Sequence, residues 1–89
     1  MDNIYYDDLY TKIIEYQGDG NYALSIAEEQ KIQKDLLRLS SKKDLNDDDE
    51  YCFDCIATIL IIVNRTEILT EYHFNQKFKE IFDKVKKDF

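Results

Sequence analysis

The chain has 89 residues, enough for one core and just above the size at which disulfides or a metal are normally needed to hold one. Hydrophobic residues at 44% and charged residues at 35% give the balance of a folded chain rather than a disordered one, so 1–89 reads as a single helical domain. The formal net charge of −7 repels nucleic acid at long range and favours a basic partner.

Proline is absent and the only glycines are Gly18 and Gly20, so little interrupts backbone hydrogen bonding and the expectation is all-α. The first helix is predicted over residues 3–16. Tyr5, Tyr6, Leu9, Tyr10, Ile13, Ile14 and Tyr16 fall on one half of a helical wheel, with Asp7, Asp8, Thr11, Lys12 and Glu15 on the other. Asp2, Asp7 and Asp8 suit the positive end of the helix, and Asp8 precedes Lys12 by the spacing of an ion pair. Residues 17–21 should stop the helix, because both glycines tolerate the positive φ of a cap or tight turn.

A second helix is expected over 22–40. Ser25 followed by Glu28 is a capping-box pattern, and Ile32, Leu36 and Leu39 form an inward stripe flanked by Ile26 and Leu37. Glu29 is the carboxylate that falls toward this stripe. Residues 42–46 read as a connection, with Asn46 or Asp47 as the next cap.

The third helix, 47–64, opens on Asp47-Asp48-Asp49-Glu50 and continues into the most apolar run of the chain, Cys55 to Val63. Carboxylates favour a helix start, and a helix apolar nearly all round must be covered, so it should be the most buried member. The rival reading is a buried strand, since Ile, Val and Thr favour strands. Asp54, Thr58 and Arg65 lie on one thin polar stripe of a helix, which favours helix. At nine residues the run is far short of the roughly 20 needed to cross a bilayer, so no membrane partner is expected.

The fourth helix is predicted over 70–87, with Thr70 as cap, Leu69 stapled to Phe74, and Phe74, Phe78, Ile81, Phe82, Val85 and Phe89 on one face. Ile68 and Tyr72 point away from that stripe, which implies a break near 65–70. Together the elements predict a compact antiparallel bundle of about four helices.

Chemistry is sparse. Cys52 and Cys55 form a Cys-x-x-Cys pair, but neighbouring acids disfavour a thiolate, and His73 alone cannot complete a zinc site. Ordinary core cysteines in a reducing compartment are expected. The acids at 44–50 lack the alternation and central glycine of a calcium loop. No nucleophile elbow, phosphate loop or dinucleotide fingerprint occurs. His73 is expected on the polar side of the fourth helix as a solvated side chain. The expectation is therefore a non-enzyme without catalytic, metal or cofactor residues.

What remains is a tyrosine-rich acidic first helix and an acidic cluster. Tyrosine anchors interfaces, and carboxylates dock on arginine and lysine. Tyr6 and Tyr10 are expected in the core with hydroxyls reaching water. Tyr5, Asp8, Tyr16, Asp44, Asp47, Asp48, Asp49 and Glu50 are the candidate partner-binding residues. The functional expectation is an acidic, non-catalytic protein-binding module of the inhibitor or immunity-antagonist type, occupying a basic surface of a larger protein. Two alternatives stand: a small structural subunit or homo-oligomer that buries the third helix against another chain, and a nucleic-acid regulator using the basic faces of the second and fourth helices. The acidic N-terminus has no secretory or transit pattern, so a cytoplasmic location, microbial or host, is expected.

Overall fold

The structure is a computed structural model, and it describes residues 3–16, 18 and 22–88. Helix α1 spans Asn3–Ile14, α2 Ile26–Ser40, α3 Asp47–Ile62 and α4 Gln76–Lys87, with a short 3-10 helix at Thr66–Glu71 between the last two. The helices form a compact antiparallel bundle, no strand occurs among the described residues, and the strand alternative for α3 is overturned. The apolar run is helical because α1, α4 and α2 cover it: Ile56, Ala57, Ile59 and Leu60 are completely buried.

Helix α1 buries Tyr6, Leu9 and Ile13, a narrower stripe than the wheel predicts, and leaves Ile4 and Ile14 exposed. No acid lies in its first described turn, so Asp7 and Asp8 sit beyond the reach expected of the dipole. Gly18 is not in the left-handed region. Its backbone lies against the Tyr16 ring, where any Cβ would collide with the phenol. Gln17, Asp19, Gly20, Asn21, Asp2 and Phe89, to which the sequence assigned turn, dipole or packing roles, lie outside the described residues.

Helix α2 starts at the predicted capping box. Ser25 Oγ accepts from the Glu28 amide at 3.1 Å, and Glu28 Oε1 accepts from the Ser25 amide at 2.9 Å. Ile32, Leu36 and Leu39 are fully buried, whereas Ile26 and Leu37 face solvent instead of flanking the core. Helix α3 also opens on a capping box, in which Asn46 Oδ1 accepts from the Asp49 amide at 2.8 Å and Asp49 Oδ2 accepts from the Asn46 amide at 3.3 Å.

The end of α3 is a left-handed cap. Asn64 has φ 59°, its N–H donates to the Ile61 carbonyl at 3.2 Å, and the Arg65 N–H donates to the Leu60 carbonyl at 2.8 Å. These two bonds satisfy the last carbonyls of α3 and turn the chain sharply. The predicted break at 65–70 is present, but α4 does not start at Thr70. Thr70 Oγ1 donates to the Glu67 carbonyl inside the short helix, and Asn75 caps α4 by accepting from the Lys77 and Phe78 amides. Phe74 consequently precedes α4 and packs on Phe53 and Phe78, with ring centroids 5.3 and 5.0 Å away. Phe78 and Val85 are the buried residues of α4.

Candidate functional site

The candidate residues divide into those the fold consumes and those it leaves outside. Tyr5 is half-buried in the seam between α1 and α2. Its ring meets Tyr6 edge-on at 5.2 Å, and the Lys31 ammonium sits 5.6 Å from its centroid. Tyr16 is 45% exposed beyond the end of α1, with its ring edge-on to Tyr22 at 5.4 Å. Asp8 is exposed, but the expected ion pair with Lys12 does not form, because Lys12 reaches across to Glu28 Oε2 at 3.2 Å.

The acidic cluster splits in the same way. Asp44, Asp47 and Asp48 are exposed. Asp49, third in its helix, must aim back at the Asn46 amide to close the capping box, and this carries it under the C-terminal end of α2. There it is buried and receives Lys42 at 2.8 Å and Arg38 at 3.3 Å. The Lys42 hydrogen bond is the main reason its carboxyl lies below the usual range, with the Asn46 amide and Arg38 adding to it against the opposing effect of burial. Glu50 is half-buried, 3.4 Å from Lys77 of α4. Asp49 and Glu50 are thus engaged within the chain.

Tyr6 departs from expectation. It is fully buried, and its hydroxyl donates to Asp35 Oδ2 at 2.5 Å instead of reaching water. Asp35, also buried, is met by Lys31 at 3.0 Å and Arg38 at 3.8 Å. Burial, then the hydrogen bond and charge of Asp35, push the Tyr6 phenol far above its ordinary range, so it stays a neutral donor. Glu28 is the buried carboxylate of the first turn of α2, accepting from Tyr22, Lys12 and the Ser25 amide. Burial pushes its carboxyl up, but these donors outweigh it and the net shift is downward. Glu29, which the sequence singled out, is less buried than Glu28 and is paired to Arg65 at 2.7 Å.

The exposed chemistry concentrates on the seam between α1 and α3. Tyr10 and Tyr51 are 39% and 49% exposed, and the Tyr51 hydroxyl donates to Asp7 Oδ1 at 3.1 Å. With Asp54, Cys55 and Thr58 they line a shallow cleft of about 190 Å³. Asp47 lies one turn before Tyr51 on the same face of α3. Among the described residues no cation lies within ion-pair distance of Asp7, Asp47, Asp48 or Asp54. Phenol faces beside free carboxylates suit a guanidinium or ammonium group, which gains a charge-assisted hydrogen bond and a ring contact together.

Sequence reasoning missed Tyr51, although its signal was present. Asp54 and Thr58 were read as the polar stripe of the third helix, and Tyr51 belongs to that stripe one turn earlier.

Among the described residues neither cysteine forms a disulfide; Cys52 is buried and Cys55 half-buried. Burial, with Asp7 and Asp54 adding to it, pushes the Cys55 thiol up to about 11 despite the opposing Tyr51 hydrogen bond, so it is protonated at neutral pH. His73 is exposed in the connection before α4 rather than on the polar side of a helix. Among the described residues no group of three or more His, Cys, Asp or Glu could hold a metal ion, and no helix is long and apolar enough to cross a membrane. Compared with known protein families, curated proteins and solved structures, the chain matches none.

Proposed function

We propose that the protein is a non-catalytic binding module that docks the α1–α3 seam on a basic surface of a larger protein, as an inhibitor or immunity-type antagonist does. The observation that carries this reading is the pair of half-exposed rings, Tyr10 and Tyr51, set among carboxylates that no cation among the described residues neutralises. Interfaces concentrate their energy in such aromatic anchors, while rim charges steer the encounter. Tyr10, Tyr51, Asp7, Asp47, Asp48 and Asp54 form the central set, and Asp8, Asp44 and Tyr16 belong to its margin.

The alternatives have less support. Ile56, Ile59 and Leu60 of α3 and Val63 at its cap are buried within the chain and Ile61 and Ile62 half-buried, which weakens the motive for self-association. Lys31, Arg38 and Lys42 point at Asp35 or Asp49 and Lys77 points at Glu50, which leaves the other exposed lysines of α4 to attract nucleic acid without Lys31, Arg38 and Lys42 and against a net charge of −7.

The test is affinity capture from a lysate of the native cell with the wild type, Asp7→Lys/Asp54→Lys and Tyr51→Ala proteins. Loss of the retained partner with both variants, and its elution from the wild type by moderate salt, is the expected result. A partner held equally by all three proteins would refute the seam as the docking surface.

A further inference from the structure

A second surface, sharing no residue with the α1–α3 cleft, lies where the short helix and the chain after it meet α3 and α4. It is a groove of about 620 Å³ whose floor is the buried pair Phe53 and Phe78 and whose walls carry half-buried Leu69, Tyr72, Phe74 and Phe82. A volume of this size, lined by five aromatic rings with Ile61 and Leu69 and bordered by polar residues that include Asn64, Thr66 and Thr70, is the make-up of a binding pocket. Its walls are fixed. The left-handed Asn64 cap sets the bend that brings the short helix over, the Tyr72 hydroxyl donates to the Gln33 carbonyl of α2 at 3.3 Å, and Phe53 and Phe78 stack edge-on at 4.6 Å.

The rim on α4 carries Lys79, Asp83 and Lys86, all exposed. Lys79 and Lys86 stand two helical turns apart, about 10 Å along the rim. Among the described residues neither lies within ion-pair distance of an acid, and of the exposed lysines without such a pair these two are the ones that line the groove. An apolar trough edged by two unneutralised ammonium groups complements an occupant with an apolar face and carboxylates beside it. A fatty acid offers one headgroup and would leave one lysine unanswered. The order lysine, aspartate, lysine asks for acid, base, acid in the occupant, and a polypeptide helix can present that order with side chains two turns apart.

From this geometry we infer that the groove between the short helix, α3 and α4 binds an amphipathic helix of another protein, whose apolar face enters the aromatic trough and whose acidic residues two turns apart meet Lys79 and Lys86. This is independent of the α1–α3 reading. If both hold, one small bundle joins a basic partner on one face to an acidic helix on another.

The experiment is selection from a displayed library of amphipathic helices of about 16 residues, roughly 24 Å long, with fixed apolar positions at helical spacing and Glu, Gln or Lys at the flanking ones. Recovered peptides are then titrated by fluorescence anisotropy against wild type, Lys79→Glu/Lys86→Glu and Lys84→Glu/Lys87→Glu proteins. The second pair alters charge equally but lies outside the groove lining. Expected are enrichment of Glu at positions two turns apart, about tenfold weaker binding to the 79/86 variant from two lost and reversed rim pairs, and little change with the 84/87 variant. Far-UV circular dichroism checks that both variants are folded. No retained peptide, enrichment of Lys at the paired positions two turns apart, no charge preference, or equal loss with both variants would overturn the proposal. So would a groove that takes dodecanoate in preference to every peptide, or sedimentation showing that a second copy of the chain fills it.

Discussion

The Tyr6 hydroxyl and the Asp35 carboxylate are two polar groups taken out of water together, and each is tolerable because of the other. Tyr6→Phe keeps the ring and its packing but leaves Asp35 short of its closest donor. A loss of about 1–3 kcal/mol is expected in urea unfolding, because Lys31 and Arg38 remain to hold the carboxylate. Asn64 poses a backbone question instead. Its positive φ excludes most side chains, so Asn64→Ala should cost about 1 kcal/mol while Asn64→Gly should match or exceed the wild type in a thermal melt. The buried acid was readable in part. Ile32, Asp35, Leu36 and Leu39 share the spacing of one helical face, and Asp35 was passed over only because a charged residue is normally assigned to solvent. Its partner on α1 could not be read, since nothing in a linear pattern says which tyrosine of five in the first quarter meets it.

At the scale of elements, helix number, order and type follow from features that local chemistry controls: the absence of proline, the capping box at Ser25 and the acids that open α3. Ser25→Ala should therefore destabilise the protein by about 1 kcal/mol. Thr70→Ala should do markedly less, because the exposed Thr70 hydroxyl bonds a carbonyl within its own short helix and caps nothing in α4. Paired denaturant titrations of these two variants separate a true cap from a sequence look-alike. The start of α4 was misplaced because Thr70 and the Leu69/Phe74 spacing imitate a helix entrance. Tertiary packing decided otherwise: Ile68, Tyr72 and Phe74 reach the core from a tighter turn and an extended connection, and Asn75 provides the cap. The acidic cluster was legible as a helix start but not as a surface, because which of its five carboxylates turns inward depends on where the end of α2 lies.

Across the whole molecule, α3 is the hub, but its neighbours are attached by different means. Helix α4 meets α3 through phenylalanines and the one ion pair of Lys77 with Glu50, whereas α2 adds to its three buried aliphatic residues a series of charged links: Glu28 to Lys12, Glu29 to Arg65, and Arg38 to Asp49. Glu28 and Asp49 have carboxyls lowered in the folded state, so the stability they contribute is complete above the unfolded carboxylate range of about 4 and disappears as pH falls through their folded values. Thermal melts should be flat from pH 7 to about 5 and decline below about 4. Hydrogen exchange at the acidic end of that range should show α2 amides losing protection before those of α3.

Charged fastenings gathered at the two ends of the second rod, against a single one on the fourth, give acid a designated first point of attack. Below about pH 4 the links at Glu28 and Asp49 would weaken first, loosening the two ends of the second rod while its aliphatic strip of Ile32, Leu36 and Leu39 and the phenylalanine-bound half stay packed. Sour conditions would thus fray one rod at its tips before they unravel the whole.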